Sequence, residues 1–207
     1  MTRRSDWPEV TERAEDGLAD SGGSVTSRAG AEPPRQPRDP VERARALCLR
    51  LLTSAPRTRS QLAETLRKRD IPDEVTEEVL GECEEAGLID DAAFAYAWVE
   101  SRHHSRGLAR PALSRELRSR GVDSTLIEGA IEQVDSDQEE STARTLVERK
   151  LPGTRGVESS KRIRRLVATL ARKGYSEGLA LRVVREALAA EGDDLEALER
   201  HLPENGV

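Results

Sequence analysis

The chain has 207 residues, of which 35% are charged and 2% aromatic, and its formal net charge is −6. No apolar run approaches the roughly 18 residues of a membrane span, and the N-terminus lacks the apolar core of a signal peptide. Leu, Ala and Val supply the apolar side chains and Glu and Arg the charges, a composition that favours helices. Period-two alternation of β-branched residues is missing, so the reading is an all-α, cytoplasmic protein without a sheet.

Residues 1–40 are dominated by Ser, Gly, Pro and charge, with Ser21-Gly22-Gly23-Ser24 and Pro33-Pro34-Arg35-Gln36-Pro37 inside them. Such a segment buries too little apolar surface to offset ordering, and it is expected to be a disordered extension. A first helix follows, with Ala44, Leu47, Cys48, Leu51 and Leu52 on one face and a stop near Pro56. Thr58-x-x-Gln61 is a capping-box pattern for a second helix running through Arg69. Pro72 suits the first turn of a third, which carries Val75, Val79, Leu80 and Cys83 and ends at Gly87. Cys48 and Cys83 both fall on apolar faces and read as small core residues.

Asp90 is placed to cap the next helix, where Phe94 and Trp98 share a core-facing side. Gly107 breaks that helix, Pro111 opens the following one, and Asp123 caps an acidic helix bearing Leu126, Ile127, Ala130, Ile131 and Val134. A further helix uses Ala143, Leu146, Val147 and Leu151 and stops at Pro152-Gly153. A long basic helix leads to a turn at Gly174. Ser176 then caps a last helix with Leu179, Leu181, Val183, Val184, Ala187 and Leu188. Residues 193–207 form an acidic tail.

This order hides a repeat. Leu62-x-x-x-Leu66-Arg67-Lys68-Arg69-Asp70-Ile71 recurs as Leu113-x-x-x-Leu117-Arg118-Ser119-Arg120-Gly121-Val122. It recurs again as Leu166-x-x-x-Leu170-Ala171-Arg172-Lys173-Gly174-Tyr175. The reading is an elongated array of three tandem three-helix modules, 41–89, 90–136 and 137–192. Stacks of this kind usually offer an extended surface to a large partner.

Charge follows the repeat. Between Arg57 and Arg69 only Glu64 interrupts the cations, and between Arg144 and Lys173 only Glu148 and Glu158 do. From Asp73 to Asp91, and again from Asp123 to Glu140, every charged residue is an acid. Each module therefore reads as a basic second helix and an acidic third. Basic helices could simply pair with acidic ones inside the molecule. Lys161-Arg162-x-Arg164-Arg165, however, lies near a helix start, where cations oppose the macrodipole. A basic stripe along an array suits a polyanion and predicts steep salt dependence. The candidate contacts are Arg102, Arg106, Arg110, Arg115, Arg118 and Arg120, with Lys161, Arg162, Arg164, Arg165, Arg172 and Lys173.

Lys68, Lys150, Lys161 and Lys173 are the only lysines among 33 basic residues. Arginine forks grip phosphate and carboxylate bidentately, where an ammonium acts as a point charge. Stacking of single-stranded bases needs exposed aromatics, and this chain has almost none to spare. No catalytic set stands out. Gly153-Thr154-Arg155-Gly156 lacks the lysine and spacing of a phosphate loop, and His103 and His104 point to different helix faces. No cofactor, metal or enzymatic activity is expected.

Gly87-Leu88-Ile89-Asp90-Asp91-x-x-Phe94-Ala95-x-x-Trp98-Val99-x-x-Arg102, followed by Gly107, Leu113, Glu116-Leu117 and Gly121-Val122, resembles the RecX family of recombination regulators. The resemblance spans roughly residues 41–192 and agrees with that family's triplicated three-helix architecture. It implies a small cytoplasmic protein, expected to act as a monomer. Such a protein lies in the groove of the RecA–single-stranded DNA filament and hinders RecA's ATPase, strand exchange and coprotease activity. Basic helices would then lie near DNA phosphates and acidic helices against basic protein surface. The alternative is a stand-alone helical DNA-binding protein that contacts the phosphate backbone without RecA specificity.

Overall fold

The computed structural model describes residues 39–192; all but the last two residues of the extension expected over residues 1–40, and the tail at 193–207, lie outside the described residues. Nine α-helices make up the described residues, with one 3-10 turn and no strand. They are α1 (Pro40–Ser54), α2 (Arg59–Arg67), α3 (Asp73–Glu85), α4 (Asp91–Arg106) and α5 (Arg110–Ser119), then α6 (Ser124–Ile131), α7 (Ser136–Lys150), α8 (Ser159–Arg172) and α9 (Glu177–Ala190).

Short polar side chains set the helix starts by satisfying amides that have no partner within the helix. Asp39 accepts from the Val41 N–H at 3.0 Å, so α1 begins at Pro40, inside the segment expected to be disordered. Asp90 accepts from Ala93 at 2.8 Å, Asp123 from Thr125 at 2.8 Å, and Asp135 from Gln138 at 2.7 Å. The capping box at α2 is reciprocal. The Thr58 hydroxyl accepts the Gln61 N–H, and the Gln61 side chain accepts the Thr58 N–H, both at 3.2 Å. Several boundaries differ from the sequence reading, and Val134 and Leu151 fall just past the ends of α6 and α7. Helix α2 stops at Arg67, because Lys68–Asp70 wind into the turn, and Pro72 sits one residue ahead of α3 rather than within it.

The turn after α2, α5 and α8 is the same structure three times. The N–H groups of Ile71, Val122 and Tyr175 each donate to the carbonyl five residues back, on Leu66, Leu117 and Leu170, all at 3.2 Å. This closure requires a left-handed residue one position earlier. Asp70, Gly121 and Gly174 supply it, with φ of 56°, 74° and 90°.

The described chain divides into two compact units. The first takes the residues up to Arg57 together with Leu62–Leu88; the second takes Thr58–Gln61 and everything from Ile89 onward. In the first, α1 packs on α3, and Ala44, Cys48, Leu62, Leu66, Val79, Leu80 and Cys83 are buried. The two thiols are free and fall together in that core. Burial, with the neighbouring Cys83 adding to it, pushes the Cys48 thiol up to about 11, so it behaves as an inert core group at neutral pH.

In the second unit α4 packs on α6 and α5, and α7 packs on α9 and α8. One continuous core runs through Ala109, Ala143, Leu146, Val147, Leu166, Leu170, Tyr175, Val183, Val184 and Leu188. The α8–α9 turn is driven into the α4–α5 corner. Gly174 lies so close to α5 that a Cβ added there would meet the Ala112 nitrogen at 2.8 Å. The Lys173 carbonyl accepts from the Ala109 N–H at 2.9 Å, and the Tyr175 hydroxyl donates to the Gly107 carbonyl at 3.1 Å. The start of α2, which belongs to this unit, is held alike. The Arg120 carbonyl accepts from the Thr58 hydroxyl at 2.6 Å, and a Cβ on Gly121 would meet the Ser60 Oγ at 2.1 Å.

Helix α9 departs from the charge pattern read for third helices. Glu177 and Glu186 are balanced by Arg182 and Arg185, so only α3 and α6 are acidic. The balance has a structural use: Arg182 and Arg144 both pair with Glu140, tying α9 to α7.

Candidate functional site

The twelve cations singled out in the sequence fall into three groups once folded. Two of them are interior. Arg102, on α4, is 6% exposed and its guanidinium lies 4.2 Å from the Trp98 ring centroid. Its Nε is 3.7 Å from Glu116, whose carboxylate also accepts the Trp98 indole N–H at 2.9 Å. Arg162, on α8, is 5% exposed and binds Glu191 and the Thr154 hydroxyl, the latter at 3.1 Å. The surface position expected for both is therefore corrected. Arg102 follows Trp98 by four residues, as Trp98 follows Phe94, so it shares the core face of α4, and the cation is retained there by ring and carboxylate.

Four more serve local structure in part. Arg120 is half-buried with its guanidinium 3.8 Å from the Trp98 centroid. Arg110 is half-buried and its N–H is capped by Glu139 at 2.8 Å. Lys173 is half-buried and donates to the Arg106 carbonyl. Burial, and after it the charges of Arg149, Arg106 and Lys150, hold the Lys173 ammonium below its ordinary pKa. Lys161 is exposed but faces Glu158 at 3.6 Å.

Five remain open: Arg115 and Arg118 on α5, and Arg164, Arg165 and Arg172 on α8. None of the five meets a carboxylate among the described residues. Arg106 is exposed as well, at the end of α4. The α8 cations line a groove of about 620 Å³ together with Lys150, Gly153, Thr154, Leu166, Ala168 and Thr169, so its wall holds cations, hydroxyls and small apolar side chains and no acid. Lys150 was not among the sequence candidates. Its signal is its place at the end of α7, two residues before Pro152, where the chain must turn back alongside α8.

His103 is taken up in packing, with one ring nitrogen 2.9 Å from the Leu108 carbonyl and the other 3.1 Å from the Thr142 hydroxyl. Among the described residues no cluster of three or more His, Cys, Asp or Glu could hold a metal ion, and no helix is long and apolar enough to cross a membrane.

Fold and surface define a class: an all-α protein of consecutive three-helix domains with exposed arginines on the second helices of the latter two. Family models match it three times, as the first three-helix domain of RecX over residues 44–83, the second over 90–131 and the third over 137–184. A regulatory protein RecX of Streptomyces coelicolor is 65% identical over 176 residues, covering 85% of this chain and 94% of the relative. One from Thermobifida fusca is 58% identical, covering 77% and 86%. The crystal structure of RecX from Lactobacillus salivarius shares the fold at a TM-score of 0.66 and 19% identity, over 71% of this chain and 96% of that one. The chain belongs to the RecX family.

Proposed function

We propose that the protein regulates RecA recombinase by binding the RecA–single-stranded DNA filament, and that it acts by occupancy rather than by catalysis. The observation that carries this is the set of open arginines on the second helices of two successive domains. Arg115 and Arg118 on α5 and Arg164, Arg165 and Arg172 on α8 meet no acid among the described residues. Unpaired guanidinium groups on a folded surface oppose one another and gain little alone; a partner dense in phosphate and carboxylate relieves both terms. A nucleoprotein filament offers both kinds of anion. Arg106, Arg110, Arg120, Lys161 and Lys173 flank the open five and complete the contact surface, whereas Arg102 and Arg162 act by holding α4 and α8 in place.

In this reading the cytoplasmic protein works as a single chain, hindering strand exchange and coprotease activity as well as ATP hydrolysis. The test is RecA's DNA-dependent ATP hydrolysis, titrated with the protein. Suppression is expected at amounts well below one per RecA protomer, and unchanged hydrolysis at equimolar amounts would refute the reading. A stand-alone DNA-binding role makes a different prediction: equal affinity for bare and RecA-coated strands at physiological salt. The net charge of −6 disfavours tight binding to naked nucleic acid.

A further inference from the structure

The second unit fills one corner of itself in a way that it leaves undone at an equivalent corner. Where α4 ends and α5 begins, the α8–α9 turn is seated. Lys173 donates to the Arg106 carbonyl, Tyr175 to the Gly107 carbonyl, and the Lys173 carbonyl accepts from Ala109. Gly174 rests on Ala112. A carboxylate completes the joint, as Glu139 of α7 accepts the Arg110 N–H at 2.8 Å. The start of α2 receives part of this set: the Arg120 carbonyl on the Thr58 hydroxyl, Gly121 on Ser60, and Asp91 of α4 on the Arg59 N–H at 2.9 Å. Twice, then, the start of a second helix accepts a turn that brings one carbonyl, while a carboxylate from a different helix caps the next amide.

The repeat places Leu166 with Leu62 and Leu113, so Arg162–Arg165 of α8 stand where Thr58–Gln61 and Ala109–Ala112 stand. Of these four, Arg164 and Arg165 line a groove of about 620 Å³ between the end of α7 and α8, with Lys150, Thr154, Leu166 and Arg172, whereas Arg162, the counterpart of Thr58 and Ala109, is buried on Glu191 and Thr154. Among the described residues nothing fills it. The donors have also changed kind. Helix α8 starts one turn early, so the Arg162 N–H is spent on the Glu158 carbonyl at 3.0 Å, and guanidinium groups take the place of free amides.

We infer that the α7–α8 groove is a docking site for an acidic helix–turn segment of a partner protein, seated as the α8–α9 turn is seated on α5. The internal precedent sets the shape of the occupant and the lining sets its charge. A second copy of this chain fits poorly: its corresponding turn carries Lys68 and Arg69 beside Asp70, and it would bring cations to cations. A nucleic-acid backbone suits the charge but not the small apolar floor of Leu166 and Ala168 or the helix–turn seat. This inference rests on the filament reading and deepens it, assigning the α8 cations to protein and leaving Arg115 and Arg118 for phosphate.

The experiment uses the full chain with Arg165→p-benzoylphenylalanine, photolysed on RecA-coated single-stranded DNA, with bare strand and protein alone as controls. The expected adduct joins the groove to a carboxylate-rich peptide of the recombinase. In parallel, Arg164→Glu with Arg165→Glu should weaken filament binding at least tenfold and leave affinity for the bare strand within twofold; Arg164→Lys with Arg165→Lys should recover part of the loss. Adducts on the DNA, adducts between copies of this chain, or filament binding without any adduct overturn the inference while the filament reading stands. Failure of the wild-type chain to bind the filament removes both.

Discussion

Trp98 concentrates more of this protein's physical chemistry than any other side chain. Its ring stacks on Phe94 with centroids 5.7 Å apart, carries the guanidinium groups of Arg102 and Arg120, and donates its N–H to Glu116. An aromatic face attracts a cation through its quadrupole, and the attraction grows as water is excluded. Trp98→Ala should therefore cost about 3–5 kcal/mol in chemical denaturation, the range for removing a large buried aromatic. A loss under about 1 kcal/mol, read against the same range, would mean that the stack is incidental. Glu191 makes a second residue-scale case. The hydrogen bonds from Arg162 and then Arg155 hold its carboxyl below the ordinary value. A depressed folded pKa contributes stability above the unfolded value of about 4.3, and that contribution is lost as pH falls through the folded one. Glu191→Gln should accordingly narrow the stability difference between neutral and acidic pH. A pH profile parallel to the wild type would remove Glu191 from the account.

At the scale of elements the informative comparison is between the three equivalent turns. Asp70, Gly121 and Gly174 share a left-handed backbone; Asp70 is exposed, whereas a Cβ at either glycine would press on a neighbour. Asp tolerates that conformation better than most side chains because it is short and polar. Gly174→Asp has no such latitude, since its Cβ would press on the Ala112 backbone. We expect Gly174→Asp to destabilise by more than about 1 kcal/mol, the cost of a side chain at positive φ, with the clash added. Asp70→Gly, the converse exchange, should change stability by less than about 1 kcal/mol. Thermal melts of the two variants test this directly. Equal effects would show that close packing on α5 plays no part. Caps belong to this scale too: Asp90→Ala should cost about 1 kcal/mol by exposing the first amides of α4.

For the molecule, the question is which cations are available to a partner. Arg115→Glu with Arg118→Glu should leave helicity unchanged, because both side chains project into solvent from α5. If each contacts one phosphate, the pair should lower the salt slope of binding to single strands by about 1.4, at about 0.7 per contact. An unaltered slope would place the phosphate contacts elsewhere.

Much of this was legible in the chain itself. Local chemistry determined the helices, their caps at Asp90, Asp123 and Ser176, the capping box at Thr58, and the glycine turns, because each depends on residues within one turn of the backbone. The triplicated pattern determined the succession of three-helix domains for the same reason. What tertiary structure alone decided is the fate of the charges. The four-residue spacing behind Phe94 and Trp98 puts Arg102 on the core face of α4, but only packing brings Glu116 to it and leaves Arg118 in water. The fate of Arg162 depended on Glu191, which lies on another helix end. The groove at α8 exists only because the α7 end, the Thr154 turn and Arg164 converge. Convergence of that kind is a property of packing between distant segments, and no local pattern encodes it.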